Sequence, residues 1–156
     1  MATSSGSVIT IAPEDPGRAD ILPLLRDGEA ASAALYPAES NHHLPLDALR
    51  AANVRFLVAR DGDARPLATG ALVISDGWAE VKRMWVVEAA RRRGLSRTML
   101  ERLVEEAREA GVRMLRLETG VASHAAVGLY AAAGFVECAP FGAYRPDPLS
   151  VFMERA

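Results

Sequence analysis

Cysteine and lysine are each represented once, by Cys138 and Lys82, in a chain of 156 residues. A lone thiol cannot close an internal disulfide, so the fold rests on its core, as in a reducing compartment. Long apolar runs are missing as well; none approaches the roughly 20 residues needed to span a bilayer. The opening MATSSGSVITIAPEDPGRAD has neither the basic stretch nor the extended apolar stretch of a secretory signal. A cytoplasmic protein with no membrane partner is therefore expected. Positive charge is not in excess: 18 basic residues meet 20 acidic ones, for a net charge of -2, which argues against a nucleic-acid partner. The single lysine among the basic residues reads as codon bias rather than chemistry. His42 and His43 are adjacent in a loop with no third ligand at metal-site spacing, so no metal is expected. Neither a Walker A loop nor a GxGxxG dinucleotide loop occurs.

With 50% hydrophobic and 24% charged residues, what remains is one globular domain, 1–156, large enough for a full core. Residues 1–6 are small and polar and are expected to fray. A β-branched strand, Ser7–Ala12, stops at Pro13. A helix follows, capped by Asp15 or Asp20, running through Ile21, Leu24 and Leu25 towards Tyr36, with a break at Gly28. Tyr36–Pro45 is a loop and Leu46–Ala52 a short helix. Val54–Arg60, Pro66–Ile74 and Trp78–Val87 read as three antiparallel strands joined by turns at Asp61-Gly62 and Asp76-Gly77. Ser96–Ala110 is an amphipathic helix with the stripe Met99, Leu100, Leu103, Val104 and Ala107, closed by Gly111. Strand Val112–Glu118, helix Ser123–Ala133 closed by Gly134, strand Phe135–Ala139, a loop over Pro140–Ser150 and strand Val151–Glu154 complete the chain. Strand, helix, strand implies a crossover and a parallel pair.

The stretch Val81–Leu100, VKRMWVVEAARRRGLSRTML, organises the rest. A strand feeds a glycine turn and a helix N-terminus, which gathers unpaired N–H groups and the positive end of a helix dipole at one point. Such a point attracts phosphate. Arg91-Arg92-Arg93-Gly94-Leu95-Ser96 resembles the acetyl-CoA loop of the GCN5-related N-acetyltransferases, Gln/Arg-x-x-Gly-x-Gly/Ala, with serine in the last place. Ser123-His124-Ala125-Ala126-Val127-Gly128-Leu129-Tyr130 through Gly134-Phe135 resembles the same family's Asn/Ser-x-x-Ala-x-x-Leu-Tyr-x-x-x-Gly-Phe segment. The combination of YPAESNHH, from Tyr36, with PFGAYRPDPLSVFM, from Pro140, resembles the small bacterial acetyltransferases called YsnE-like.

The resemblance implies an α/β (α+β) acyl-CoA N-acyltransferase fold, with a mixed sheet of about seven strands and helices on both faces. It implies acetyl-CoA as co-substrate and acetyl transfer to a primary amine by direct attack in a ternary complex. The acceptor is expected to be a small molecule such as an amino acid; a protein acceptor, or a non-catalytic CoA-binding regulatory domain, is the alternative. Trp85, Val86 and Val87 would pair with the pantetheine arm, an N–H of Val86 or Val87 serving as oxyanion donor. Arg91, Arg92, Arg93, Gly94, Leu95, Ser96 and Arg97 would hold the diphosphate, with Ser123 and Ala126 also against the cofactor. Tyr130 would protonate the departing thiolate. For the base, Glu80 lies eleven positions before Arg91, where relatives that acetylate histones carry a glutamate; Glu118, at the end of the next strand, is the second candidate, and water the third. Tyr36, Glu39, Ser40, Asn41 and His42 in one loop and Phe141, Tyr144 and Arg145 in another are the candidate acceptor-binding residues. A homodimer is left open.

Overall fold

The computed structural model describes residues 8–156; the expected fraying of 1–6 and the start of the first strand at Ser7 lie outside them. Seven strands form one mixed sheet: β1 Thr10–Pro13, β2 Val54–Arg60, β3 Pro66–Ile74, β4 Trp78–Val86, β5 Met114–Gly120, β6 Val136–Glu137 and β7 Ser150–Arg155. Four helices accompany them: α1 Leu22–Leu35, α2 Leu46–Leu49, α3 Leu95–Glu109 and α4 His124–Ala132. Single 3₁₀ turns occupy Ala38–Ser40 and Glu88–Ala90. The strand order is β1-β2-β3-β4-β5-β7-β6. The element order and the mixed sheet are those implied by the resemblance, and this is the acyl-CoA N-acyltransferase fold.

The strands carry apolar residues on both faces because both are covered. Leu57, Leu72, Val81, Leu115 and Leu117 belong to one core with the α3 stripe Met99, Leu100, Leu103, Val104 and Ala107. Phe56, Val58 and Ala71 face the other way and pack on Ile21, Leu25 and Leu49. Both α3 and α4 end in Schellman caps. Gly111 N–H and Val112 N–H return to Arg108 O and Ala107 O, and Gly134 N–H and Phe135 N–H return to Ala131 O and Tyr130 O.

Several boundaries depart from the sequence reading. Pro13 is the last residue of β1, tolerated because β1 is an edge strand. Helix α1 starts late, with Ile21 at its cap and no side-chain cap bond. The two aspartates proposed for that task are taken by tertiary ion pairs: Asp15 binds Arg50 at 3.0 Å and Asp20 binds Arg60 at 2.7 Å. Gly28 does not break α1; the absent side chain lets the Trp85 ring approach the helix. Helix α2 is one turn, and β6 shrinks to two residues.

Two irregularities position the site. In β3–β4 the pairs Ala71↔Lys82 and Thr69↔Trp85 flank a bulge, with Arg83 at φ 55°. Thr69 Oγ1 donates to Arg83 O at 2.9 Å. The extra residue sends Lys82 and Arg83 to the α1 side in succession, and Arg83 ties that side together through Glu29 and Leu44 O. Beyond the bulge, Trp85 meets α1 while Val86 joins the α3 core. The second irregularity lies between β4 and β5, which pair over only three positions, Trp78↔Met114, Ala79↔Leu115 and Glu80↔Arg116, and then part.

Candidate active site

Where β4 and β5 part they leave a cleft of about 1030 Å³. One end opens on the N-terminus of α3. Thr98 N–H is the first to bond back into the helix, to Gly94 O at 3.1 Å, so the N–H groups of Leu95, Ser96 and Arg97 have no partner within it. Gly94 forms the N-cap at φ 73°, a left-handed conformation that glycine adopts without strain, and nothing lies within 4 Å of where a Cβ would project. No acidic residue stands in the first turn. Arg91 folds back to donate to Val86 O at 3.0 Å and rests on the Trp85 ring, its guanidinium 4.8 Å from the centroid. Together these groups form a basic, donor-rich mouth suited to phosphate.

The wall of β4 offers one free donor at mid-cleft. Val87 N–H is spent on Leu67 O at 2.9 Å. Strand alternation turns Val86 N–H the other way, into the gap that β5 vacates. Of the two residues read as possible oxyanion donors, the ladder thus leaves Val86. Opposite stands Tyr130, buried at the cleft wall, where burial pushes its phenol up from the ordinary range and keeps it a proton donor. The α4 cap explains its placement: Tyr130 is three residues inside the helix end, Gly134 makes the left-handed turn, and Phe135 packs on the tyrosine at 5.8 Å.

The other end of the cleft is built from both long loops, which meet. Ser40 donates to Asp147 at 2.8 Å, and the His42 and Tyr144 rings touch edge to face at 5.2 Å. Tyr36 crosses to the far side, pairing with Ser123 Oγ at 2.8 Å and accepting from Ala122 N–H at 3.1 Å. Beneath this roof lies Glu118. Burial pushes its carboxyl above the ordinary range, while the Ser150 hydroxyl at 2.7 Å and the charges of His42 and Lys82 pull it back. Glu80 lies alongside but is covered: Tyr144 OH donates to it, and Lys82 Nζ bridges it at 3.2 Å and Tyr144 OH at 2.7 Å.

Most of the residues read from the sequence come together here. Tyr36, Ser40, His42, Trp85, Val86, Arg91, Arg92, Gly94, Leu95, Ser96, Arg97, Glu118, Ser123, Ala126 and Tyr130 all line the cleft. Others do not. Arg93 points to solvent between two left-handed residues, Arg92 and Gly94. Glu39 and Arg145 are exposed. Asn41 is a turn residue, bonded to Ser32, Tyr36 O and Pro37 O. Phe141 is buried against Trp78, Tyr144 and Phe152. Lys82, His43 and Ser150 were missed. Only Lys82 carried a signal, two residues from Glu80 and hence on the same face of a strand. Burial and the neighbouring Arg83 lower the pKa of His43, which keeps it neutral. Among the described residues no group of three or more His, Cys, Asp or Glu is placed to hold a metal ion.

Comparison with known proteins agrees with this geometry. The model of the acetyltransferase (GNAT) family matches residues 21–135. An IAA acetyltransferase of Azospirillum brasilense is 44% identical over 149 residues, covering 94% of this chain and 97% of its own. YsnE of Bacillus subtilis (strain 168), an uncharacterised N-acetyltransferase, is 31% identical over 137 residues, covering 86% and 91%. The crystal structure of an acyl-CoA N-acyltransferase from Klebsiella pneumoniae superposes with a TM-score of 0.81 at 33% identity, covering 96% of this chain and 97% of that one. The fold is shared with the PaiA N-acetyltransferase of Thermoplasma acidophilum solved with coenzyme A, at a TM-score of 0.75, 18% identity and coverage of 95% and 98%. The chain is an acyltransferase and belongs to the acetyltransferase (GNAT) family.

Proposed function

We propose that the chain transfers the acetyl group of acetyl-CoA to the primary amine of a small molecule, by direct attack in a ternary complex. The observation that carries this reading is the cleft itself, with a phosphate-suited helix N-terminus at one end and a half-buried carboxylate at the other. The diphosphate sits on the N–H groups of Leu95, Ser96 and Arg97, with Arg91 and Arg92 beside it. The peptide-like pantetheine arm takes the lateral bonding positions of β4 that β5 leaves open. Its thioester carbonyl then lies by Val86 N–H, which stabilises the oxyanion as charge develops there. Glu118 accepts the proton of the incoming ammonium, its raised pKa bringing it closer to that task than an exposed carboxylate. Tyr130, held neutral by burial, returns a proton to the thiolate. Glu80 acts from behind, through Lys82 and Tyr144.

A small acceptor is favoured because the bonds Ser40–Asp147 and Tyr36–Ser123 roof the acceptor end, leaving little room for a polypeptide. An amino acid or related compound fits, with its amine at Glu118 and its carboxylate towards His42. Thermal unfolding with acetyl-CoA, followed by thiol release on a panel of amines, tests the reading. At a hundredfold excess over Kd, stability rises by about 2.7 kcal/mol, or about 5–10 °C for a chain this size. No rise, or turnover confined to protein amines, would overturn it.

A further inference from the structure

Lys82 is the chain's sole lysine among 18 basic residues, and it lies inside the cleft. Its side chain is 13% exposed. Strand alternation from Glu80 directs it to the acceptor face, where its ammonium is held against the Glu80 carboxylate at 3.2 Å and the Tyr144 hydroxyl at 2.7 Å. Glu118 is close enough for the Lys82 charge to act on it. The ammonium is paired with Glu80, Glu118 lies within reach of its charge, and Lys82 shares a wall of the cleft with Val86, four residues along the strand. Elsewhere on the chain positive charge is carried by arginine, which is not acylated in this way because its guanidinium stays protonated.

We propose that Lys82 is an internal acceptor: with acetyl-CoA bound and no amine substrate present, the acetyl group passes to its Nζ. This rests on the acetyl-CoA reading of the cleft. The Lys82 ammonium yields a proton to a neighbouring carboxylate, and the freed amine attacks the thioester carbon. A C–N bond forms as the C–S bond breaks. CoA leaves as the thiolate and takes up a proton, and the amide nitrogen releases its second, so one proton is released overall. No oxidant or further reactant is needed. The product, N-acetyl-lysine, has lost its charge and two of its donors. The Glu80–Lys82 ion pair is gone, and Glu118 keeps the repulsion of Glu80 without the offsetting Lys82 charge, so modification lowers turnover of the external amine.

The test is intact mass and peptide mapping of the full chain after incubation with acetyl-CoA alone, with thermal unfolding run in parallel. A single acetyl group on Lys82 is expected, appearing at a rate per molecule that does not change with protein concentration. The same peptide from chain denatured before incubation should remain unmodified over that time. Lys82→Arg should abolish the mass gain while keeping the rise in Tm with acetyl-CoA. An unmodified Lys82 in a chain whose Tm does rise overturns the internal-acceptor assignment alone. An unmodified Lys82 with no rise overturns the cofactor reading as well. Acetylation of Lys82 in the denatured chain at an equal rate shows reagent chemistry rather than a site and overturns the proposal.

Discussion

Gly120, the last residue of β5, lies directly against the Tyr36 ring, and replacing it with alanine isolates that contact. A Cβ there would lie 1.9 Å from Tyr36 Oη and 2.0 Å from its Cζ, so the ring must move. Movement breaks its bond from Ala122 N–H at 3.1 Å and its pairing with Ser123 Oγ at 2.8 Å, at about 1 kcal/mol each. Crowding adds about 1 kcal/mol or more. Against this, alanine restricts the unfolded chain and returns about 0.5 kcal/mol, because Gly120 does not occupy the left-handed region. The net cost is about 2–3 kcal/mol, a fall in Tm of about 5–10 °C. The sign should reverse when Tyr36 is first replaced by alanine: Gly120→Ala then meets open space and stabilises by about 0.5 kcal/mol. Denaturant unfolding of the four proteins of this cycle measures the difference as a coupling of about 3 kcal/mol. Equal costs in both backgrounds would refute the clash between a Cβ at position 120 and the Tyr36 ring.

Glu118→Gln should lower kcat/KM by about 10²–10⁴-fold while leaving the acetyl-CoA thermal shift in place. In the wild type, activity should fall with acid through a pKa above the ordinary carboxylate range, and the variant should lack that limb. A raised folded pKa means that the folded state holds the proton more tightly, so Glu118 opposes folding as pH rises through that value. Urea unfolding near neutral pH should therefore find Glu118→Gln no less stable than the wild type. Gly94→Val forces a β-branched residue to φ 73° at an otherwise open position, which should cost about 1–2 kcal/mol and raise KM for acetyl-CoA more than it lowers kcat. Leu103→Ala, at a fully buried site under the sheet, should cost about 2–5 kcal/mol by calorimetry without changing KM.

The strongly periodic elements were legible because one interaction decides them. The α3 stripe, the hairpin strands and the two Schellman glycines all follow from local spacing, and the motifs riding on them pointed to the donor-rich end of the cleft. The α1 start was misread because Asp15 and Asp20, good caps in isolation, are drawn to arginines 35 and 40 positions away. No local rule carries such a pairing. Likewise the left-handed Arg83 has no signature, yet it places the Arg83 side chain on the same side as Lys82, against Glu29 and Leu44 O. In the loops, polarity picked out both stretches but did not separate the side chains that turn inward from those that face solvent. Ser40 and His42 reach inward, whereas Glu39 and Arg145 look out, and the closing bond to Asp147 joins segments 107 positions apart.

The brief union of β4 and β5 also bears on how the molecule opens. Three residue pairs join the sheet's halves, so β1–β4 and β5–β7 meet with little lateral bonding of their own. Such halves can fluctuate as separate cooperative units. In amide hydrogen exchange, β5 and β7 should then open at a lower free energy than β2 and β3. A ligand lying along the gap acts as the missing rung, joining the two units, and protection in β5 and β7 should rise towards that of β2 and β3 when it binds. On the proposed reading, the gap would make the bound acetyl-CoA part of the fold's connectivity.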